Sequence, residues 1–168
     1  ALLSSNTSTL PLASLLEGVP EARREKFAIT HFFNPPKVMR LVELIASGST
    51  EAALRTTIEQ TLGKIALECR DTPGFIANRV GCYWMAAGVA RAREFDVSYE
   101  LADAAFGRAF GIPRTGIFGL LDYIGLQLVK PIWTSLETAL PEGDPLLDVP
   151  LGDDSFIEGL VSRGLTGR

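Results

Sequence analysis

The stretch HFFNPP, residues 31 to 36, constrains the fold of this chain more than any other six residues. Two consecutive prolines cannot continue a helix and cannot donate to a sheet ladder, so the backbone must leave regular structure there. On either side lie KFAITHF (26–32) and MRLVELIA (39–46), both of which read as β-rich runs. If the runs pair antiparallel about Lys37, His31 and Glu43 stand six residues either side of the turn and face each other across the ladder. His31 is the only histidine of the chain. An imidazole oriented by a carboxylate could be a general base. A lone histidine at a strand end is more often a surface or satisfied core residue than a catalyst, and the spacing alone leaves both readings open.

Two further segments carry polar groups where a site would need them. The chain opens ALLSSNTSTLP, an apolar strand tail (Leu2, Leu3) ending in Ser4, Ser5, Asn6, Thr7, Ser8 and Thr9. In open α/β sheets ligands gather outside the carboxyl ends of strands, which is where this loop falls. The plainer alternative is that the cluster caps a helix predicted from Pro11, but a cap occupies one hydroxyl and leaves the others unexplained. Further on, DTPGFIANRV (71–80) is a Pro-Gly loop running into a long apolar helix, with Asn78 near its start. From position alone Asn78 reads first as an ordinary polar residue of a first turn.

The coarse pattern divides near residue 72. Up to that point the chain alternates a strand tail, helices over 11–17 and 21–25, the two strands, a helix over 50–62 and a strand over 65–69. In that last helix Leu54, Ile58 and Leu62 recur every four positions, with Thr50 to cap the start and Gly63 to close the end. After DTPG the pattern is helical. The longest helix is predicted over 75–95, with Ile76, Val80, Tyr83 or Trp84, and Ala87 on its apolar face. Ser98 caps a helix over 99–109, and others follow near 116–124, 125–139 and 155–163. The stretch PEGDPLLDVPLGDD (141–154), rich in Pro, Gly and Asp, is expected to be an exposed loop.

Composition narrows the class. Of 168 residues, 46% are apolar, which suffices for a core without indicating a membrane protein. The net charge of −4 includes no basic stripe, which argues against a nucleic-acid partner. The apolar run 83–90 is too short to span a bilayer, and ALLSS lacks the basic flank of a signal peptide. Cys69 and Cys82 have neither metal-ligand nor redox spacing, so they are expected as reduced thiols of a cytoplasmic protein. Trp84, Met85, Phe106, Phe110, Phe118 and Trp133 form a heavy apolar load for the helical part. Either some of them meet another surface or all are core.

SNTS (5–8), HFFNPP (31–36), LVELI (41–45), DTPGFIANR (71–79) and LLDYIGL (120–126) together resemble the L-3-hydroxyacyl-CoA dehydrogenase family, in its order and near its spacing. The resemblance is strong to about residue 126 and weaker beyond. It implies an α/β remnant of a Rossmann-type domain over 1–72, followed over 73–168 by an all-α helical domain like the C-terminal domain of 6-phosphogluconate dehydrogenase. The helical part would serve substrate binding and dimerisation. It implies NAD as cofactor, an acyl-CoA substrate and oxidation of a 3-hydroxyacyl-CoA to the 3-oxoacyl-CoA in fatty-acid β-oxidation. By the same resemblance His31 is the catalytic base, Glu43 its partner, Ser8 a contact to substrate hydroxyl and nicotinamide, Asn34 a cofactor contact, and Asn78 a substrate contact. A homodimer, or packing against other domains of a fused enzyme, is implied as well. A different class of function, a non-catalytic structural or dimerising module of the same fold, is also open. Retention of Ser8, His31, Glu43 and Asn78 together favours the enzyme.

The chain departs from the family pattern at three places. No G-x-G-x-x-G occurs in it, and the glycine-rich stretch 107–119 has the wrong spacing for one, so the 168 residues alone are expected to bind NAD weakly and to be inactive, as a fragment of a longer enzyme. The segment 15–30 is slightly longer than usual. GIPRTGIF carries an added residue and Ile117 where proline is usual, a variant that looks like bacterial forms fused to an enoyl-CoA hydratase segment.

Overall fold

Strand β1 (Leu3–Ser5) runs parallel to β2 (Phe27–Phe32), β2 runs antiparallel to β3 (Leu41–Ile45), and β3 runs parallel to β4 (Ile65–Glu68). The sheet order is therefore β1-β2-β3-β4. These four strands are part of a computed structural model that describes residues 1–107, 114–149, 151 and 154–167. Its contacts divide the chain into two units, Ala1–Asn78 and Arg79–Arg168.

The sheet of the first unit is covered on both faces, which is why β2 and β3 read as continuous apolar runs rather than alternating ones. One face carries Ile29, Ile45, Cys69 and Phe75, with Leu12 and Leu15 of helix α1 (Leu12–Leu16) packed on them. The other carries Val42, Leu44 and Ala66 against Ile58 and Leu54. A short helix α2 (Glu21–Arg24) precedes β2. Leu54 lies on α3 (Gly48–Thr56), and Ile58 on the π turn Thr57–Thr61 that continues it. Two readings of this helix are corrected. It starts at Gly48, so Thr50 does not cap it; the Thr50 hydroxyl donates instead to the Glu25 carbonyl at 2.5 Å. The wider π turn also shifts Leu62 off the apolar stripe, leaving it 48% exposed.

Helix α4 (Ala77–Glu94) belongs to the second unit from Arg79 onward and there buries Cys82, Met85, Ala86, Gly88, Val89 and Ala92. This is a different face from the one the apolar spacing picks out, since Ile76, Val80 and Tyr83 are exposed. The helix packs by its small residues because they let its backbone approach. A Cβ at Gly88 would overlap the side chain of Ile117, which is itself fully buried. Among the described residues the remaining α-helices are α5 (Tyr99–Ala105), α6 (Phe118–Ile124), α7 (Val129–Ala139) and α8 (Ser155–Ser162). Ser98 caps α5 as expected, accepting from the Leu101 N–H at 3.3 Å. Part of the helix expected over 99–109, and residues 108–113 of the glycine-rich stretch, lie outside the described residues.

The stretch 141–154 is not the exposed loop its composition suggests. Leu146 and Leu151 are buried, a 3-10 turn covers Pro145–Asp148, and Asp144 accepts the Leu146 N–H at 3.0 Å. Two leucines anchor it despite the surrounding Pro, Gly and Asp; residues 150, 152 and 153 are outside the described residues. Met85 and Trp133 are core, and Trp84, Phe106 and Phe118 are partly buried against that core. Phe110 lies outside the described residues. Among the described residues no helix is long and apolar enough to cross a membrane.

Candidate active site

The antiparallel register of β2 and β3 sets His31 opposite Glu43. Nδ1 of His31 is 2.7 Å from Oε2 of Glu43, with His31 7% exposed and Glu43 fully buried. A buried carboxylate is tolerated only when its oxygens are satisfied. Here Oε1 accepts the backbone N–H groups of Ile76 at 2.9 Å and Ala77 at 2.8 Å, at the start of α4. The Cys69 sulfur lies 3.7 Å from the same oxygen. Burial alone pushes the Glu43 carboxyl up. The hydrogen bond with His31, those from Ala77 and Ile76, and attraction to the imidazole together outweigh it and hold the carboxyl below its ordinary value. Glu43 is therefore ionised at neutral pH and accepts from Nδ1–H. In the neutral tautomer that this bond selects, Nε2 carries the lone pair.

The turn that aims Ile76 and Ala77 at Glu43 is built by the DTPGF sequence. The Phe75 N–H closes on the Thr72 carbonyl at 3.0 Å, with Gly74 at φ 71° and Phe75 at φ 47°. A bulky residue in the left-handed region costs about 1–3 kcal/mol and persists only where its surroundings fix it. Phe75 is 3% exposed and lies against His31, ring centroids 6.3 Å apart, while Phe33 lies on the imidazole at 4.6 Å. The imidazole thus has aromatic neighbours and one ionic partner.

The loop after β1 is organised by its own hydroxyl and amide groups. Ser5 Oγ accepts from the Thr7 N–H, Thr7 Oγ1 from the Leu10 N–H, and Asn6 Oδ1 from the Phe32 N–H at 2.8 Å. Thr30 donates to Ser4 Oγ at 3.0 Å. Helix α1 is capped from elsewhere, by Asp71, whose carboxylate accepts the Leu12 and Ala13 N–H groups at 2.6 and 3.0 Å. Asn78 is the second residue of α4, and its Nδ2 donates to the Ser8 carbonyl at 3.1 Å. Ser8 is half-buried and Asn34 exposed, on the loops that follow the parallel strands β1 and β2. The structure thus brings His31 to Glu43 and Asn78 to Ser8. Among the described residues no hydrogen bond links Asn34 to either pair. Beyond Asn34, Lys64 Nζ donates to the carbonyls of Pro36 and Met39 at 2.5 and 2.7 Å and pins the turn.

Sequence reasoning missed Cys69, the Ile76 and Ala77 amides, and the two phenyl rings on the imidazole. The signal for the amides was present in Gly74, a residue suited to the left-handed turn that starts α4. Cys69 had no such signal.

Residues 1–72 match the family model described as 3-hydroxyacyl-CoA dehydrogenase, NAD binding domain, and residues 74–164 the one described as 3-hydroxyacyl-CoA dehydrogenase, C-terminal domain. A protein of Rickettsia prowazekii assigned as a fatty acid oxidation complex trifunctional enzyme is 41% identical over 172 residues, covering 100% of this chain and 24% of that protein. The mitochondrial hydroxyacyl-coenzyme A dehydrogenase of Sus scrofa is 37% identical over 163 residues, covering 92% of this chain and 51% of its own. The crystal structure of an (S)-3-hydroxybutyryl-CoA dehydrogenase from Ralstonia eutropha superposes with a TM-score of 0.82 at 30% identity, covering 99% of this chain and 57% of that one. The chain spans about a quarter of the length of the first relative and about half of the second. The two matches set a segment of an NAD-binding domain before a C-terminal domain of the same family. The chain belongs to the 3-hydroxyacyl-CoA dehydrogenase family.

Proposed function

We propose that this chain carries the acid–base pair of an NAD-dependent 3-hydroxyacyl-CoA dehydrogenase of fatty-acid β-oxidation, with residues 1–72 the later part of its nucleotide-binding domain and 73–168 its helical domain. The observation that carries the reading is the buried 2.7 Å contact between His31 Nδ1 and Glu43 Oε2. Oxidising a secondary alcohol requires the hydroxyl proton to leave as hydride leaves the same carbon. His31 Nε2 takes that proton, and Glu43 stabilises the imidazolium that forms, as the third member of a hydrolase triad does. NAD, when bound, accepts the hydride.

The residues present fit the nicotinamide end of such a cofactor. Neutral hydroxyl and amide groups, Ser8 and Asn34, stand on loops at the carboxyl ends of β1 and β2, where parallel strands offer ligands their backbone and side-chain donors. Ser8 and Asn78, already tied by one hydrogen bond, would hold the substrate oxygen whose charge changes in the transition state.

The test is turnover of acetoacetyl-CoA with NADH by the complete protein. His31→Gln should lose nearly all activity. Glu43→Gln should lower kcat on the order of 10²–10⁴-fold with a smaller effect on KM, because it disturbs the developing charge more than substrate contact. Wild-type turnover in His31→Gln would refute the assignment.

A further inference from the structure

Glu43 is bound unevenly. Oε2 meets one side chain, that of His31, whereas Oε1 meets the Ile76 and Ala77 amides and the Cys69 sulfur. We propose that Cys69 is a positioning residue for the His31–Glu43 pair, its thiol donating to Oε1 so that the carboxylate presents Oε2 alone to the imidazole. Cys69 follows β4, its N–H bonded to the Leu44 carbonyl at 2.9 Å, and this fixes its Cα beside β3. The residue is 7% exposed, so no water competes freely for the thiol.

The sulfur has a second acceptor within reach, the Leu67 carbonyl at 3.4 Å, against 3.7 Å to Oε1. One proton cannot satisfy both fully. An ionised carboxylate is the stronger acceptor, and a thiol turned the other way would point sulfur lone pairs at a buried negative charge. The S–H therefore points at Oε1, the proton remaining on sulfur. Burial, the Glu43 charge and that hydrogen bond push the thiol up to about 11, so it remains a donor at working pH. His31 and Cys69 are the titratable side chains hydrogen-bonded to Glu43 among the described residues; α4 contributes only backbone amides. A carboxylate with a pinned Oε1 cannot swing away from Nδ1 as the imidazole gains and loses its proton. The consequence for turnover rests on His31 being the base.

The S–H stretching band reads the contact without turnover, and the difference between wild type and Cys69→Ala isolates it from Cys82. In the wild-type chain the band should lie below the free-thiol position and move up in Glu43→Gln, which leaves the Leu67 acceptor untouched. A band that stays put in Glu43→Gln overturns the proposal. In the complete protein Cys69→Ala should lower kcat about tenfold with KM within about twofold, while Cys69→Ser, which keeps a donor, should stay within about threefold of wild type. Unchanged kcat in Cys69→Ala also overturns it, and this arm stands if Glu43→Gln fails to fold. An inactive wild type would instead refute the dehydrogenase reading, leaving the S–H band to decide the contact.

Discussion

Glu43 caps a helix that begins 34 residues later: its Oε1 accepts the Ala77 N–H at 2.8 Å while its Oε2 holds His31. The carboxylate stabilises the N-terminus of α4 and orients the imidazole with the same negative charge.

That double use predicts acid sensitivity. A carboxyl whose folded pKa is depressed contributes stability in full above its ordinary value and loses it as pH falls through the folded value. Glu43, with an ordinary value of 4.5, is so depressed in the first unit. Asp154, ordinarily 3.8, is depressed in the second: burial pushes it up, but Arg93 and the Ile157 N–H outweigh that. The denaturation midpoint should hold near neutral pH and fall as pH drops below these ordinary values. Glu43→Gln should be less stable at neutral pH and show a shallower acid decline. An identical acid profile in the variant would mean that Glu43 carries none of it.

Asp71 caps α1 across 58 or 59 residues of sequence, accepting from Ala13 and Leu12. Asp71→Ala should cost about 1 kcal/mol, within the usual range for a lost cap, and speed hydrogen exchange at Leu12 and Ala13 ahead of the strands. Unchanged exchange at these two amides would contradict the cap.

Gly88 tests the packing of α4. Alanine there gains up to about 1 kcal/mol of helix propensity, but its methyl would overlap Ile117, which has no exposed surface into which to move. Gly88→Ala should therefore destabilise by about 1–3 kcal/mol in urea denaturation, and Ile117→Val in the same chain should recover part of the loss by removing the overlapping methyl. A stabilised single variant would show that Ile117 repacks freely.

The 168 residues contain no G-x-G-x-x-G turn, and Ser8 and Asn34 reach only the nicotinamide end in the proposed mode. One end of a dinucleotide seldom offsets the lost translational and rotational freedom. Calorimetric titration of this chain alone with NAD should give no micromolar binding. Tight binding would locate the pyrophosphate on residues not considered for it.

The sheet was legible in the sequence because Pro35 and Pro36 fix where two β-rich runs break, and the spacing about them then sets His31 against Glu43. The helices were legible as elements but less so in their faces. The apolar spacing of Ile76, Val80 and Tyr83 pointed outward, because α4 packs through Cys82, Ala86 and Gly88, residues too small to dominate a hydrophobic pattern. The caps were least legible. Asp71 on α1, Glu43 on α4, and Asp103 on the Phe118 and Gly119 amides of α6 all act from distant sequence, where no local capping signal exists. Leu146 and Leu151 show the converse, two apolar residues anchoring a stretch whose composition reads as loop.

The proposed acid–base role requires His31 to carry its proton on Nδ1, held by Glu43, and its lone pair on Nε2. Because the chain has one histidine, its imidazole nitrogens give an unambiguous pair of signals in a 15N-labelled sample. Where the ring is neutral, Nδ1 should be protonated and slowly exchanging and Nε2 unprotonated. In Glu43→Gln the amide can donate to Nδ1 and shift the ring toward the opposite tautomer. A neutral ring with its proton on Nε2 in the wild-type chain would contradict the proposed base, since that nitrogen could then take no proton from a substrate.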